Sequence, residues 1–331
     1  MKPKTLNRLY PLEDVFEFIK EGRVLVIAGS ENLLRNLPKG NWIGGTIPYF
    51  MDTKGGTFSK NKLFVTDFSG ILKSFKIEKY QTDDLEKIVS NGYSNGFTYM
   101  LIPAFSDMHQ KYAIEAESIP GLYNIPIVGW ITGIDLNETG KSTPKVVNGW
   151  NNEFLGSAAI ALHVELPESN IAQLEILNIF KQGNNGSIVF DEEGFYSKTC
   201  QIDGQSVNFS EYIKTHNIDT RLPLVANYSG ATINISFQHI DENEKKVMFY
   251  APVRKNAEYR IADTFNDYIT EFNKILPSNE NENIVASCNC ILNYLYSELE
   301  NKNTPGITGP ITFGEIAYVL VNQTLVYLKI K

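Results

Sequence analysis

The chain predicts an α/β protein of the mixed α+β kind, with mixed β-sheets flanked by helices. Three observations support this. Continuous apolar, β-branched runs alternate with short helical patterns in the first half and again at the C-terminal end. Between these regions, polar turns separate short alternating segments, the texture of antiparallel hairpins. The same grammar of strand, short helix, Gly- and Thr-bearing turn and second strand can be read at 23–68, at 97–166 and in the tail from Ile284. These read as three related units.

The elements follow in order. Leu12, Val15, Phe16 and Ile19 fall on one face of a helix opened by Pro11 and stopped by Gly22. Arg23–Gly29 is then a strand covered on both faces. Ser30 caps a helix over Glu31–Leu37 that ends at Pro38, and the chain re-enters a strand through Asn41–Pro48. Gly55-Gly56 marks a turn before the strand Leu63–Phe68. In the second unit Thr82, Asp83 and Asp84 start a helix bracketed by Gly92 and Gly96, and Phe97–Ile102 is a strand. Asp107 caps a helix that carries Tyr112, Ile114 and Ala116 and ends near Pro120-Gly121. Pro126–Gly133 and Ala158–Leu166 complete the unit.

After Pro167 come the turns Gly183–Gly186 and Asp203-Gly204, with strands Ser187–Phe190, Thr232–Phe237 and Val247–Tyr250. The third unit has a strand Ile284–Cys290, a helix Ile291–Glu300, a turn over Gly306–Glu315 and a closing strand Asn322–Ile330. The expected domains are 1–168, holding two units, and 169–331, holding the hairpins and the third.

Composition excludes several classes. A hydrophobic share of 43% with 21% charged residues describes a chain that folds rather than one that stays disordered. The net charge of -8, without a run of Lys and Arg among aromatics, argues against nucleic acid. The longest apolar stretches, Ser157–Val164 and Ile316–Leu320, fall short of the ~20 residues of a membrane helix. The start, Met1–Thr5, leads into Glu13 and Asp14 rather than an apolar signal core. Cys200, Cys288 and Cys290 are an odd set in a long chain, which fits a reducing compartment. The expectation is a cytoplasmic protein.

The tail carries a resemblance. Ser287-Cys288-Asn289-Cys290 before a helix, then Gly309–Ile316 and Asn322-Gln323-Thr324-Leu325, resembles the C-terminal half of FIST domains. Val24–Gly29 with Ile43-Gly44-Gly45-Thr46 is similar to the first half of that family, although Ile47-Pro48 replaces its usual Gly-Glu-Ile. The resemblance implies an intracellular sensory module that holds a small ligand such as an amino acid, with haem as an alternative cofactor. Since no output segment is evident in the sequence, a protein partner would carry the signal.

Candidate site residues follow from the glycine-lined bends. Gly314 and Thr312 let a ligand approach the backbone while Glu315 meets an ammonium or hydroxyl group, or Gly314 simply relieves strain in a bend and Glu315 points to water or pairs with a Lys. Gly44, Gly45 and Thr46, with Gly129, Thr132 and Gly133, would hold an anionic group on backbone N–H groups, or would simply be packing glycines at strand crossings. Trp42 and Trp130 stack on the ligand or fill the core. Arg254 offers a fork for a carboxylate, and Cys288 belongs to the same wall. The ligand is placed between the two halves.

The competing reading is a cysteine-dependent hydrolase or transferase, with Cys290 at a helix start, or Cys288, as nucleophile and His109 or His163 as base. A lone Cys-x-Cys is too few ligands for zinc. His109 is also the candidate ligand for a haem iron.

Overall fold

A computed structural model describes residues 6–228, 231–276, 283–304 and 306–331; Met1–Thr5 lies outside the described residues. Three six-stranded sheets share one internal order. In the first, Arg8–Tyr10, Leu63–Asp67, Leu25–Gly29 and Trp42–Thr46 lie side by side. The second repeats this with Ser74–Tyr80, Ala159–Glu165, Gly96–Pro103 and Ile127–Thr132. The third repeats it with Ala172–Leu177, Leu325–Ile330, Ile284–Cys290 and Gly309–Thr312.

In each sheet the last two strands named are parallel and joined by a helix: Glu31–Arg35, Asp107–Glu115 or Ile291–Tyr296. A parallel pair needs such a crossover, and the short helices supply it. The inner strands are buried on both faces, so Leu25–Gly29 and Gly96–Pro103 carry no alternation of polar and apolar residues.

Each parallel pair is then extended by a hairpin from a different unit. After Trp42–Thr46 the hairpin Tyr49–Asp52/Gly55–Phe58 crosses to pair with Gly309–Thr312, Phe50 opposite Pro310. After Ile127–Thr132 the hairpin Val146–Asn148/Glu153–Leu155 joins Trp42–Thr46, Val147 opposite Gly44. After Gly309–Thr312 the hairpin Glu315–Ala317/Val319–Val321 joins Ile127–Thr132, Ile316 opposite Gly129. The exchange is cyclic and locks the three sheets around one core that holds Phe50, Trp130, Cys288 and Tyr327. Strands from both sides of residue 168 therefore share the second and third sheets.

Between Ala172–Leu177 and Ile284–Cys290 the chain forms two antiparallel sheets. One runs Gln205–Asn208, Thr199–Ile202, Ile188–Val189, Glu258–Ile261, Leu224–Tyr228, Ala231–Ile235; the other runs Gly194–Ser197, Lys246–Val253, Phe237–Asp241. Phe190, Phe237 and Phe249 pack in one apolar cluster with Met100, Ile131 and Leu320 of the second sheet. This layer therefore lies directly against the α/β body.

Some expected boundaries move. The turn falls on Thr53-Lys54, and Gly55-Gly56 already lies in a strand beside Leu299–Lys302. Ser106, not Asp107, caps the second unit's helix, its hydroxyl accepting the His109 N–H at 3.1 Å. The helix expected to reach Glu300 stops at Tyr296, with Glu298 in the left-handed region at φ 52°. The expected turn over Gly306–Glu315 contains the strand Gly309–Thr312, and the bend is confined to Phe313-Gly314.

Candidate functional site

The strand Ile284–Cys290 runs straight into helix Ile291–Tyr296, so its last residues lie at a junction between sheet and helix. Cys288 and Cys290 share one face of that strand. The Cys288 thiol donates to the Gly129 carbonyl at 3.3 Å inside the core. Beside the same strand, Thr312 donates to the carbonyls of Asn289 (3.3 Å) and Gly314 (3.1 Å), and so fixes the bend that delivers Glu315.

Glu315 is fully buried. Its Oε2 accepts the Thr324 hydroxyl at 2.8 Å and the Thr324 N–H at 3.3 Å, while Oε1 has no hydrogen-bond partner. Burial raises its pKa to about 8, against the opposing pull of Thr324 and, more weakly, of the Cys290 thiol and Thr312 hydroxyl nearby. At neutral pH most of the population is therefore uncharged. The Cys290 thiol is in turn held well above its ordinary range, chiefly by burial.

Cys290 forms part of the floor of a cleft of about 360 Å³ between the α/β body and the antiparallel layer. His109, from the first turn of helix Asp107–Glu115, lines the same cleft with Phe105, Phe313 and Asn322. Phe195, Gln238, Met248 and Tyr250 form the facing wall. Phe105 stands at the rim, 56% exposed and in the left-handed region at φ 62°, with its ring edge-on to Phe313 at 6.1 Å. A non-glycine residue held there costs backbone energy that the surroundings must offset.

His109 has a defined tautomer. The Phe105 N–H donates to its Nδ1 at 3.2 Å, so the ring proton sits on Nε2, which has no partner. Burial lowers its pKa to about 4, which keeps the ring neutral. Asn322 is likewise buried, with Oδ1 unpartnered. Two buried polar atoms of lining residues thus lack a partner, the His109 Nε2–H donor and the Asn322 Oδ1 acceptor, and none of the lining residues is charged at neutral pH.

The other expected site residues are placed elsewhere. Gly44 and Gly45 are packing positions: a Cβ at Gly45 would stand 2.6 Å from Thr132 and from the Trp130 ring, and one at Gly44 would stand 2.9 Å from the Ile27 carbonyl. Trp42 and Trp130 fill the core, fully buried. Thr132 is fully buried, and its hydroxyl has no partner. Thr46 and Gly133 edge a shallow hollow of about 60 Å³, where the Thr46 hydroxyl accepts the Lys145 N–H at 2.9 Å.

Arg254 closes the end of helix Asp107–Glu115 by donating to the Ala113 and Ile114 carbonyls at 3.1 and 3.2 Å, and it pairs with Glu117 and Glu193. Its fork is engaged within the protein. His163 is bonded to Tyr80 (2.6 Å) and Thr98 (2.8 Å) and lines none of the clefts described here. Of the expected residues, the structure brings Cys290 and His109 into one cleft, with Glu315, Thr312 and Gly314 behind it.

Sequence reasoning missed Asn322 and the whole facing wall. The signal for Asn322 was present: Asn322-Gln323-Thr324 interrupts an otherwise apolar tail, and all three are buried. Among the described residues no group of three or more His, Cys, Asp or Glu could hold a metal ion, and no helix is long and apolar enough to cross a membrane.

No curated protein matches the chain. Residues 10–331 match the model of a family described as a family of unknown function, DUF6976, and with nearly the whole length covered the chain belongs to that family.

Proposed function

We propose that the protein is a cytoplasmic small-molecule-binding module of the sensory kind, and that its ligand is a neutral, largely apolar compound with an adjacent hydrogen-bond acceptor and donor, such as an amide or lactam. The observation that carries this is the pair of buried, unpartnered groups lining one uncharged cleft: His109 Nε2–H as donor and Asn322 Oδ1 as acceptor. A free amino acid, the class drawn from the FIST resemblance, would bring two charges to a lining that holds none. The neutral class therefore replaces it. The cleft lies between the α/β body and the antiparallel layer, so occupancy would bias the packing of one on the other and expose that change to a partner protein.

A thermal-shift screen of neutral amides, lactams and carboxamides against charged metabolites tests the reading. A neutral hit that raises Tm with concentration, and loses its effect in His109→Phe and Asn322→Leu, is the expected result. Hits confined to charged compounds would refute it, and a Soret band in protein expressed with iron would place His109 on haem instead.

The second reading is a cysteine-dependent hydrolase or transferase, favoured by Cys290 and His109 lining the same cleft. Against it, the thiol is held protonated, whereas the thiolate is the nucleophile. Iodoacetamide at pH 7.5 is expected to label Cys290 more slowly than a free thiol in an unfolded peptide. Labelling faster than that reference, with protection by a substrate analogue, would favour the enzyme.

A further inference from the structure

We propose that a second cleft, on the other side of helix Ile291–Tyr296 from the first, binds a primary organic ammonium ion. Its volume is about 380 Å³. The helix divides its residues between the two clefts: Ile291, Leu292 and Leu295 line the first, Asn293 and Tyr296 the second. The tail divides likewise, Asn322 to the first and Gln323 to the second.

Asn293, which lines the second cleft, holds a buried acceptor. Asn293 is 2% exposed; its Nδ2 donates to Asn289 Oδ1 at 3.0 Å, and its own Oδ1 has no partner. Gln323 is bonded at both ends, Nε2 to the Arg221 carbonyl at 3.0 Å and Oε1 to the Ser236 hydroxyl at 2.7 Å. An orphaned buried acceptor is costly, and a ligand N–H relieves it. Phe265 and Tyr296 give the walls aromatic faces suited to a cation.

The charges at the mouth point the same way. Asp219, Asp267 and Glu298 line the cleft together with Arg221 and Lys302. Both cations are engaged: Arg221 grips Asp219 through Nε and Nη2 at 2.9 and 2.7 Å, and Lys302 Nζ donates to the Ser297 carbonyl at 3.0 Å. Asp267 caps helix Tyr268–Ile275 through Oδ1. Glu298 has no ion-pair partner among the described residues and is presented by its left-handed backbone. A carboxylate ligand would meet a buried acceptor and surplus negative charge, while an ammonium satisfies both. This proposal does not rest on the function assigned to the first cleft.

Calorimetric titration of the full chain with phenethylammonium chloride, and with phenethyl alcohol as its neutral counterpart, tests it. Both can donate to Asn293 Oδ1, but only the first carries charge. Saturable binding of the amine, about tenfold or more tighter than the alcohol, is expected. Glu298→Gln, an exposed change that the fold should tolerate, is expected to weaken the amine about three- to fivefold and leave the alcohol unchanged. Asn293→Leu is expected to weaken both. His109→Phe, in the first cleft, should leave amine binding intact. Equal affinity for amine and alcohol, no saturation, or insensitivity to Glu298→Gln overturns the proposal. Loss of amine binding in His109→Phe would place the amine in the first cleft and overturn it as well.

Discussion

Gly129→Ala is expected to abolish the folded state or reduce its stability by about 4 kcal/mol or more, the range reserved for a backbone clash in a core. Gly129 lies in a strand paired on both sides, parallel to Met100 and antiparallel to Ile316. A Cβ built there would stand 1.8 Å from the Met100 carbonyl oxygen and 2.7 Å from its carbon, atoms of the neighbouring backbone that no rotamer change can move. Its φ of 156° adds strain for any L side chain. The only relief is to part the two strands. That would also withdraw the Gly129 carbonyl from the Cys288 thiol and the strand from the Glu315–Ala317 hairpin.

The equivalent glycine of the third sheet, Gly309, is similarly placed, with a Cβ 2.2 Å from the Ser287 carbonyl oxygen. Gly156→Ala is the control. It has nothing nearer than 3.9 Å and should melt within a degree or two of the parent. Circular dichroism melts of the three variants decide the matter: a Gly129→Ala protein as stable as Gly156→Ala would mean that the parallel pair is not closed as described.

The parallel strands were legible because burial on both faces leaves a local mark, an unbroken apolar run between a Gly and a capping residue. Leu25–Gly29 and Gly96–Pro103 show it. The cyclic exchange of hairpins leaves no such mark. Nothing local in Tyr49–Phe58 says that its partner is Gly309–Thr312, because the partner is chosen by the global path of the chain. The same gap explains the misplaced site. Gly44 and Gly45 look like ligand-facing bends, but an absent Cβ serves close backbone approach to a core side chain as readily as approach to a ligand, and here the neighbour is Trp42 or Trp130. Arg254 looked available because Ala113 and Ile114, whose carbonyls it closes, lie 140 residues or more away in sequence. The facing wall of the first cleft comes from segments read as hairpins, where alternation fixes which side chains are buried and not against what they pack.

Stability is expected to peak near pH 6 to 6.5 and to begin its fall on the alkaline side through Glu315, before the three buried thiols, whose pKa burial also raises above 9.0, add to the fall. Its ordinary pKa of 4.5 applies to the unfolded chain, and burial raises it to about 8 in the folded protein. Between these values the folded state holds a proton that the unfolded state has lost, so stability declines as pH rises through that window, by about 1.4 kcal/mol per pH unit, and the share due to Glu315 levels off above pH 8. The two buried imidazoles act in the opposite sense. His109 and His163 titrate at about 4 and about 3 in the folded protein because burial disfavours their charged forms, against an unfolded value of 6.5. Their contribution is complete above 6.5 and is lost as pH falls toward the folded values. Two groups gaining protons on the acid side outweigh one losing its proton below 6.5, while above 6.5 Glu315 acts alone among the three, which puts the optimum at that crossing. Glu315→Gln keeps an acceptor for Thr324 and removes the charge. Its stability measured by urea unfolding should therefore be nearly level from pH 6.5 to 8.5, while that of the parent drops by about 2 kcal/mol. A parent curve as level as the variant's would mean that the Glu315 carboxylate is solvated or paired in the folded protein, and it would remove the uncharged carboxyl group from behind Cys290.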